Sequence, residues 1–484
     1  MLDSFDLMDS EVYTIPHAKI QTTLMKLALP SLHMLYLMIA LPIVLCMVFL
    51  TPPGQVPDEP HHLYRAVQIL SGHFVASKNE QNQLGGAIPE SIQTFVNMPT
   101  FEAMSAPQAH TTLAGAASPR IDATALFNAH LEQLQWGGTA SFVDFKNTAI
   151  YPFLSYMPAI LGLLIGKLLH LSILASFFLG RLSNAAISIL CSTLAIQLTS
   201  RGKFLIFCLL LAPINLFIFA SLSQDASIIG YSALAIGIIN RLMDAPKTQK
   251  NSLSSVFVAQ ILLTAVALSK CVYLPFVFGL PCILFFQNNR LYKWAALFSI
   301  LSTMIVLSWT LYSDHLLHGM ELAPHVNSLT QLQYIIQQPI TFLKAMLRGL
   351  VDHHFYLIEL VGVLGWLQFI LPPVFYFLFG IGALICLYAN GSNNNLNLQS
   401  KGLLLILCVG SFVGISLVEY LAYTPVHAAA IEGIQGRYYI PIVLFISLIL
   451  GQAKKITPVF WLACVFFIFV DLGTLYQIAL RYYY

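Results

Sequence analysis

Charge is what this sequence has least of: 23 Lys+Arg and 21 Asp+Glu among 484 residues, or 9%. Soluble domains carry roughly a quarter charged residues, so a globule of this length would lack the polar side chains to coat its surface. Disorder is excluded for the opposite reason, because 57% of the residues are hydrophobic and disordered chains are poor in them. A formal net charge of +2 leaves no basic footprint for nucleic acid. No CxxC pair occurs, and none of the eight cysteines (46, 191, 208, 271, 282, 386, 408, 464) lies in the longest polar stretch. Neither a disulfide framework nor a structural zinc site is therefore expected. P-loop and Rossmann fingerprints are absent too. A secretory leader is not expected either: Asp3, Asp6, Asp9 and Glu11 stand where its basic region would be.

What is present is a series of long apolar runs with short polar joints, the pattern of an all-α polytopic membrane protein. Residues 1–30 read as a cytoplasmic N-terminal segment and 31–50 as an uncleaved first transmembrane helix. Residues 51–147 form a large extracytoplasmic loop holding 12 of the chain's 44 charges, and 148–480 form a multi-helix body. Candidate spans fall at about 149–169, 175–199, 204–222, 226–242, 254–269, 271–287, 294–311, 354–371, 372–390, 402–421, 438–453 and 457–479, giving about 12 or 13 helices. The basic joints Arg201/Lys203, Arg241/Lys247/Lys250, Arg290/Lys293, Lys401 and Lys454/Lys455 go to the cytoplasm by the positive-inside rule. One inconsistency follows: two crossings between Asn147 and Arg201 return the chain to the wrong side. Either 149–169, with Pro152 and Pro158, dips without crossing, or Arg201/Lys203 is an exception.

This orientation puts 11 of the 14 histidines outside, including the pairs His61–His62 and His353–His354. Neighbours on a helix diverge by about 100°, so such a pair rarely gives two ligands to one ion. No metal site is assigned, and a divalent cation stays open as a cofactor. The densest constellation follows the first helix, from Pro52-Pro53-Gly54 through Pro57-Asp58-Glu59-Pro60-His61-His62 to Tyr64-Arg65. The prolines end the first helix, Asp58 takes an N-cap position and Pro60 lies in the opening turn of a new helix. Leu63, Ala66, Val67 and Leu70 make an apolar stripe, with Asp58, His61 or His62 and Arg65 on another side. That spacing predicts a short amphipathic helix at the membrane interface. Asp58 is either a helix cap or a general base tuned by Arg65, with Glu59 as the alternative base. Asp225 reads as the cap of the helix starting near Ala226. Lys270 stands alone between two apolar runs, snorkelling unless partnered. Arg437, flanked by Gly436 and Tyr438, is either an aromatic-belt anchor or a phosphate clamp. A base, a cation and a phosphate clamp on one outer face point to a lipid-phosphate substrate.

These residues carry a resemblance. The ordered pieces are Pro57-Asp58-Glu59-Pro60…His62…Tyr64-Arg65, Tyr151-Pro152…Tyr156-Met157-Pro158, Arg181…Asn184, Ser223…Asp225-Ala226, Lys270…Tyr273…Pro275, Leu364-Gly365-Trp366-Leu367…Pro372 and Gly436-Arg437-Tyr438…Pro441. Over roughly residues 35–450 they resemble a bacterial membrane protein family known as domain of unknown function 2142. Gln368 departs from it where an acid is expected. That family in turn resembles the GT-C superfamily of membrane glycosyltransferases. The resemblance implies an inner-membrane enzyme with an extracytoplasmic active face. It would move a sugar from a polyprenyl-phosphate donor to a glycan or lipid-linked acceptor, with inversion. By the same resemblance Asp58 is the catalytic base, Arg437 and Lys270 hold the donor phosphate, and His61, His62, Arg65, Tyr156, Asp225, Trp366 and Tyr438 are substrate-binding candidates. Trp136-Gly137-Gly138 would help bind the acceptor. The rival readings are a flippase or transporter of lipid-linked sugars, with Arg181 as a midplane charge, and a glycan polymerase or ligase.

Overall fold

The computed structural model describes residues 30–97, 133–244, 253–320, 325–352, 355–391, 396–453 and 458–484. The N-terminal segment, His110, His130, His353, His354, Lys247, Lys250, Lys454 and Lys455 fall outside them. The chain is an all-α polytopic membrane protein. Among the described residues six helices are long and apolar enough to cross a bilayer: Leu32–Leu50, Ile173–Leu198, Asp225–Asp244, Tyr292–Leu317, Leu398–Ala422 and Pro458–Tyr483. At 1.5 Å per residue a 26-residue helix reaches about 39 Å, more than the roughly 30 Å hydrocarbon core. Shorter apolar segments, Leu253–Ser269, Cys271–Phe286, Pro373–Ala389 and Gly436–Ile449, fill the bundle between them.

Two sets of contacts define the ends of this bundle. At one end Arg201 bridges to Gln452 and Asn390 to Ala453, and Arg201 pairs with Asp244 at 2.6 Å. At the other end, Trp366 Nε1 donates to Gly54 O (3.0 Å), Lys78 Nζ to His318 O (2.8 Å) and Ser328 Oγ to Leu421 O (2.8 Å). The connectors expected outside thus gather at one end, hereafter the site end.

Three segments decide the helix count. Helix Met157–Leu168 does not cross. Its start is tied to the site end through Tyr156, and near its finish Lys167 lies over Trp136 of the long connector. It turns back against Ile173–Leu198 at the small pair Gly162/Gly166, where a Cβ would stand 2.0 Å from Leu179 O and 2.4 Å from Ser176 Oγ. Close approach of this kind needs glycine. Segment 354–371 does not cross either. After helix Phe355–Gly362 it folds into a hairpin pairing Val363–Leu364 with Phe369–Ile370, with Gly365 and Leu367 at positive φ. Segment 204–222 does run from one end to the other, as two short helices, Lys203–Leu210 and Pro213–Phe219. Pro213 forbids a continuous helix, and Asn215 Nδ2 satisfies the freed Leu209 carbonyl at 2.6 Å. Eleven passes therefore join the two ends among the described residues, and the inconsistency around Asn147–Arg201 disappears.

The described parts of 51–147 form a lid-like unit of helix and sheet. Strands Ser77–Lys78, Leu84–Pro89 and Ala140–Asp144 pair antiparallel in that order. Beneath them Leu63, Val67, Ile88, Phe95, Tyr156 and Phe177 form a second buried cluster, separate from the bundle core. Helix Glu59–Leu70 is consequently enclosed: His62, Arg65 and Gln68 are as buried as Leu63 and Val67. The interfacial, half-exposed helix expected there is not what forms, because sheet and bundle cover both faces.

Candidate functional site

The chain leaves the first helix at Leu50 and runs through Thr51–Pro57 as a buried turn. Asp58 follows with φ 58°, a left-handed conformation that Asp and Asn tolerate better than most residues. Its side chain does not cap the helix. Instead Oδ1 accepts from Asn147 Nδ2 at 2.8 Å, and the half-buried carboxylate remains at the mouth of the site end.

Glu59, one residue on, has a different fate. Its Oε1 accepts from Arg181 Nε (2.8 Å) and Leu222 N (3.2 Å), and its Oε2 from Arg181 Nη2 (2.6 Å) and Gly54 N (3.0 Å). Both side chains are 0% exposed. Arg181 spends its other N–H groups on Val48 O, Thr51 O and Pro52 O, so all five donors are used. This pair ties the end of the first helix to the bundle. Arg181 is therefore a clamp on that helix end and not a charge at the midplane, and Glu59 has no oxygen left to act as a base. Arg65 likewise has its donors engaged elsewhere. It donates to Tyr151 O, Phe74 O and Gln68 Oε1, holding the loop down.

The residues the sequence scattered most widely meet at one point. Asp225 Oδ1 lies 3.1 Å from Lys270 Nζ, and its Oδ2 accepts from Arg437 Nε at 2.8 Å. Asp225 is thus no cap; its own N–H is received by Ser223 Oγ (3.2 Å). Lys270 is partnered, not snorkelling, with Nζ 3.7 Å from the centre of the Tyr438 ring, inside cation–π range. Tyr273 Oη donates to Tyr438 O (2.8 Å), and Glu359 receives the Gly436 N–H, so the turn carrying Arg437 is fixed on both sides. Arg437 Nη1 is buried and has no hydrogen-bond partner among the described residues, which leaves one edge of the guanidinium fork free.

His62 connects this cluster to Asp58. Its Nδ1 lies 2.7 Å from Tyr156 Oη and its Nε2 3.4 Å from Ser223 Oγ, while Asp58, Asp225 and Arg437 all act on its charge. Burial outweighs the two carboxylates and brings its pKa from 6.5 down to about 4. Between those values the unfolded chain binds the proton and the folded one does not, so stability is full above pH 6.5 and is lost as pH falls toward 4. The loss is on the order of 3 kcal/mol. In His62→Gln, thermal unfolding followed between pH 4 and 6.5 should lose most of this slope; an unchanged slope would assign it elsewhere.

Other candidates lie at the rim. The His61 ring stacks at 6.4 Å on Tyr64, turned from His62 as helical geometry requires. Trp366 packs over the Gly54 turn, and Gln368 is exposed. Trp136 donates to Ser176 Oγ at 3.0 Å and serves packing. Among the described residues no three His, Cys, Asp or Glu side chains come together as a cation-binding group. All eight cysteines are free.

Two contributors escaped sequence reasoning. Asn147 had no signal beyond its place at the loop end. Glu419, buried on helix Leu398–Ala422, stands close enough to Lys270 and Arg437 for their charges to act on it. The signal was there: it is the one acid in its apolar run, and such residues are functional candidates by default.

The chain matches a family of predicted membrane proteins, domain of unknown function 2142, over residues 41–446. It belongs to that family. The matched stretch of this domain of unknown function 2142 member contains Asp58, His62, Asp225, Lys270, Glu419 and Arg437, the whole constellation. No curated protein and no solved structure matches the chain significantly.

Proposed function

We propose that this protein is a membrane glycosyltransferase that moves a sugar from a polyprenyl-phosphate-linked donor to a glycan or lipid-linked acceptor. The observation that carries the reading is the free, buried edge of Arg437 beside Lys270, both held by Asp225. A guanidinium fork with an open edge and a neighbouring ammonium suit a phosphodiester. Asp58 stands close enough to Arg437 to act on its charge, where an acceptor hydroxyl would approach the donor sugar. In the proposed step Asp58 takes the hydroxyl proton, the acceptor oxygen bonds to the anomeric carbon from the face opposite the phosphate, and the carbon–phosphate-oxygen bond breaks. The electron pair leaves with the polyprenyl phosphate, whose charge Arg437 and Lys270 stabilise. The basic joints Arg201, Lys203, Arg241, Arg290, Lys293 and Lys401 lie at the opposite end, which the positive-inside rule assigns to the cytoplasm. The site end is then extracytoplasmic in a bacterial inner membrane. Arg437→Lys tests the clamp: charge survives but the fork is lost, so KM for the polyprenyl-phosphate donor should rise roughly ten- to a hundredfold. Unchanged KM would remove Arg437 from the donor site.

A second reading, translocation of a lipid-linked sugar, has one observation in its favour. Asp471, midway along helix Pro458–Tyr483, is fully buried, and neither carboxylate oxygen has a hydrogen-bond partner among the described residues. Charges in such places line ion and substrate paths in transporters. In vesicles, Asp471→Asn stops flipping of a fluorescent lipid-linked sugar if the protein translocates, and leaves sugar transfer intact if it is a transferase.

A further inference from the structure

Helices Ser328–Gln337 and Pro339–Asp352 lie at the site end and belong to neither the bundle passes nor the described constellation. One face of each is packed. Gln331 is fully buried and accepts from His427 N at 2.9 Å. Tyr334 meets the His427 ring at 4.3 Å, and Phe342 meets Tyr420 at 5.5 Å. The other face carries an exposed apolar stripe. Leu329, Leu332 and Ile336 are 68%, 40% and 72% exposed, and Ile340, Leu343 and Leu347 are 66%, 48% and 49% exposed. Both triplets have i, i+3, i+7 spacing, one stripe along each helix.

Two observations say what covers these stripes. Between His325 and Val351 the sequence has no acidic residue, while Lys344 and Arg348 are exposed one turn apart, immediately beside Leu343 and Leu347. Apolar side chains next to long basic ones are the pattern of a helix lying in a headgroup layer, with the bases reaching anionic phosphates. The helix that these two pack against, Leu398–Ala422, in turn exposes Val409 and Ile406 further along its length. We infer that these two helices form a sill seated in the outer headgroup layer of an anionic bilayer. The sill borders the site directly, because Tyr420 beneath Phe342 adjoins Glu419. A ligand carried on a lipid thus reaches Lys270 and Arg437 sideways from the membrane. The inference holds whether the site transfers or translocates sugar.

The test uses the full chain in vesicles of phosphatidylglycerol and phosphatidylethanolamine, with a photoreactive benzophenone amino acid at Ile336, Ile340 or Leu347. Leu311, 71% exposed on a bundle pass, serves as the lipid-facing control, and exposed Lys78 as the control in the sheet. After irradiation, mass spectrometry should find phospholipid adducts at all three sill positions at yields comparable to Leu311, and none at Lys78. No adducts, or adducts only to protein, at the sill, with lipid adducts at Leu311, overturn the inference in favour of a solvated or protein-covered face. In the second arm, K344Q/R348Q should lower retention of phosphatidylglycerol over phosphatidylcholine at the sill by roughly an order of magnitude. Equal retention of both lipids by the unaltered protein and this variant also overturns it.

Discussion

Asp58→Asn, in protein that still inserts and folds, should lose sugar transfer by roughly two to four orders of magnitude, the usual span for a missing general base. The substitution is nearly silent for structure. Asparagine tolerates the left-handed backbone at φ 58°, and its amide oxygen can keep the 2.8 Å bond from Asn147. Only the ability to take a proton is removed. The measurement is transfer from a polyprenyl-phosphate sugar by purified protein in lipid, alongside thermal unfolding to establish that the fold is intact. Full activity in Asp58→Asn would end the transferase proposal as written. Lost activity with an unchanged donor KM places Asp58 at the proton and not at the phosphate, which separates it from Arg437.

The adjacent acid should behave in the opposite way. Glu59→Gln leaves Arg181 buried at 0% exposure without its counter-charge, and breaking a buried pair in this manner costs about 3–5 kcal/mol. The expected result is a large fall in melting temperature and in the amount of folded protein recovered from membranes, well before any question of catalysis. Replacing both partners with methionine should restore only part of the loss. The charge problem is then gone, but Gly54 N and Leu222 N, with the carbonyls of Val48, Thr51 and Pro52, have lost their partners. A Glu59→Gln protein as stable as the unaltered one would mean that the pair is not the clamp described above. Two neighbouring carboxylates thus give distinguishable outcomes: one variant is folded and inactive, the other poorly folded.

The difference between Asp58 and Glu59 marks where sequence reasoning ran out. Adjacent acids at a membrane surface were legible as unusual, but nothing in the string says which of them meets Arg181, 122 positions away. Arg65 was misassigned for the same reason: i, i+4 spacing brought it to the right helix and gave no view of the Tyr151 carbonyl. The interfacial helix was expected at 59–70 because the stripe there is genuine, and the sheet that covers its other side is assembled from strands more than fifty residues apart. The amphipathic pair at 328–352, which falls between the candidate spans 294–311 and 354–371, carries the exposed face instead. Segment 354–371 shows the limit of hydropathy: its residues are apolar enough to span, but left-handed backbone at Gly365 and Leu367 turns it into a hairpin.

By itself the sequence determined the class. With 9% charge the chain has too few polar groups to face water, so bilayer residence follows from composition, and the placement of the few charges marks the end at which chemistry is to be sought. It also singled out Asp58, Asp225, Lys270 and Arg437. Only the tertiary structure decided that Asp225 joins Lys270 to Arg437 across separations of 45 and 212 residues, that Glu59 is spent on Arg181, and that Glu419 is a charged neighbour of both cations. Ion pairing inside a low-dielectric bundle is decided by which helix ends meet in space, and helix periodicity, which acts over a few residues, carries no information about that.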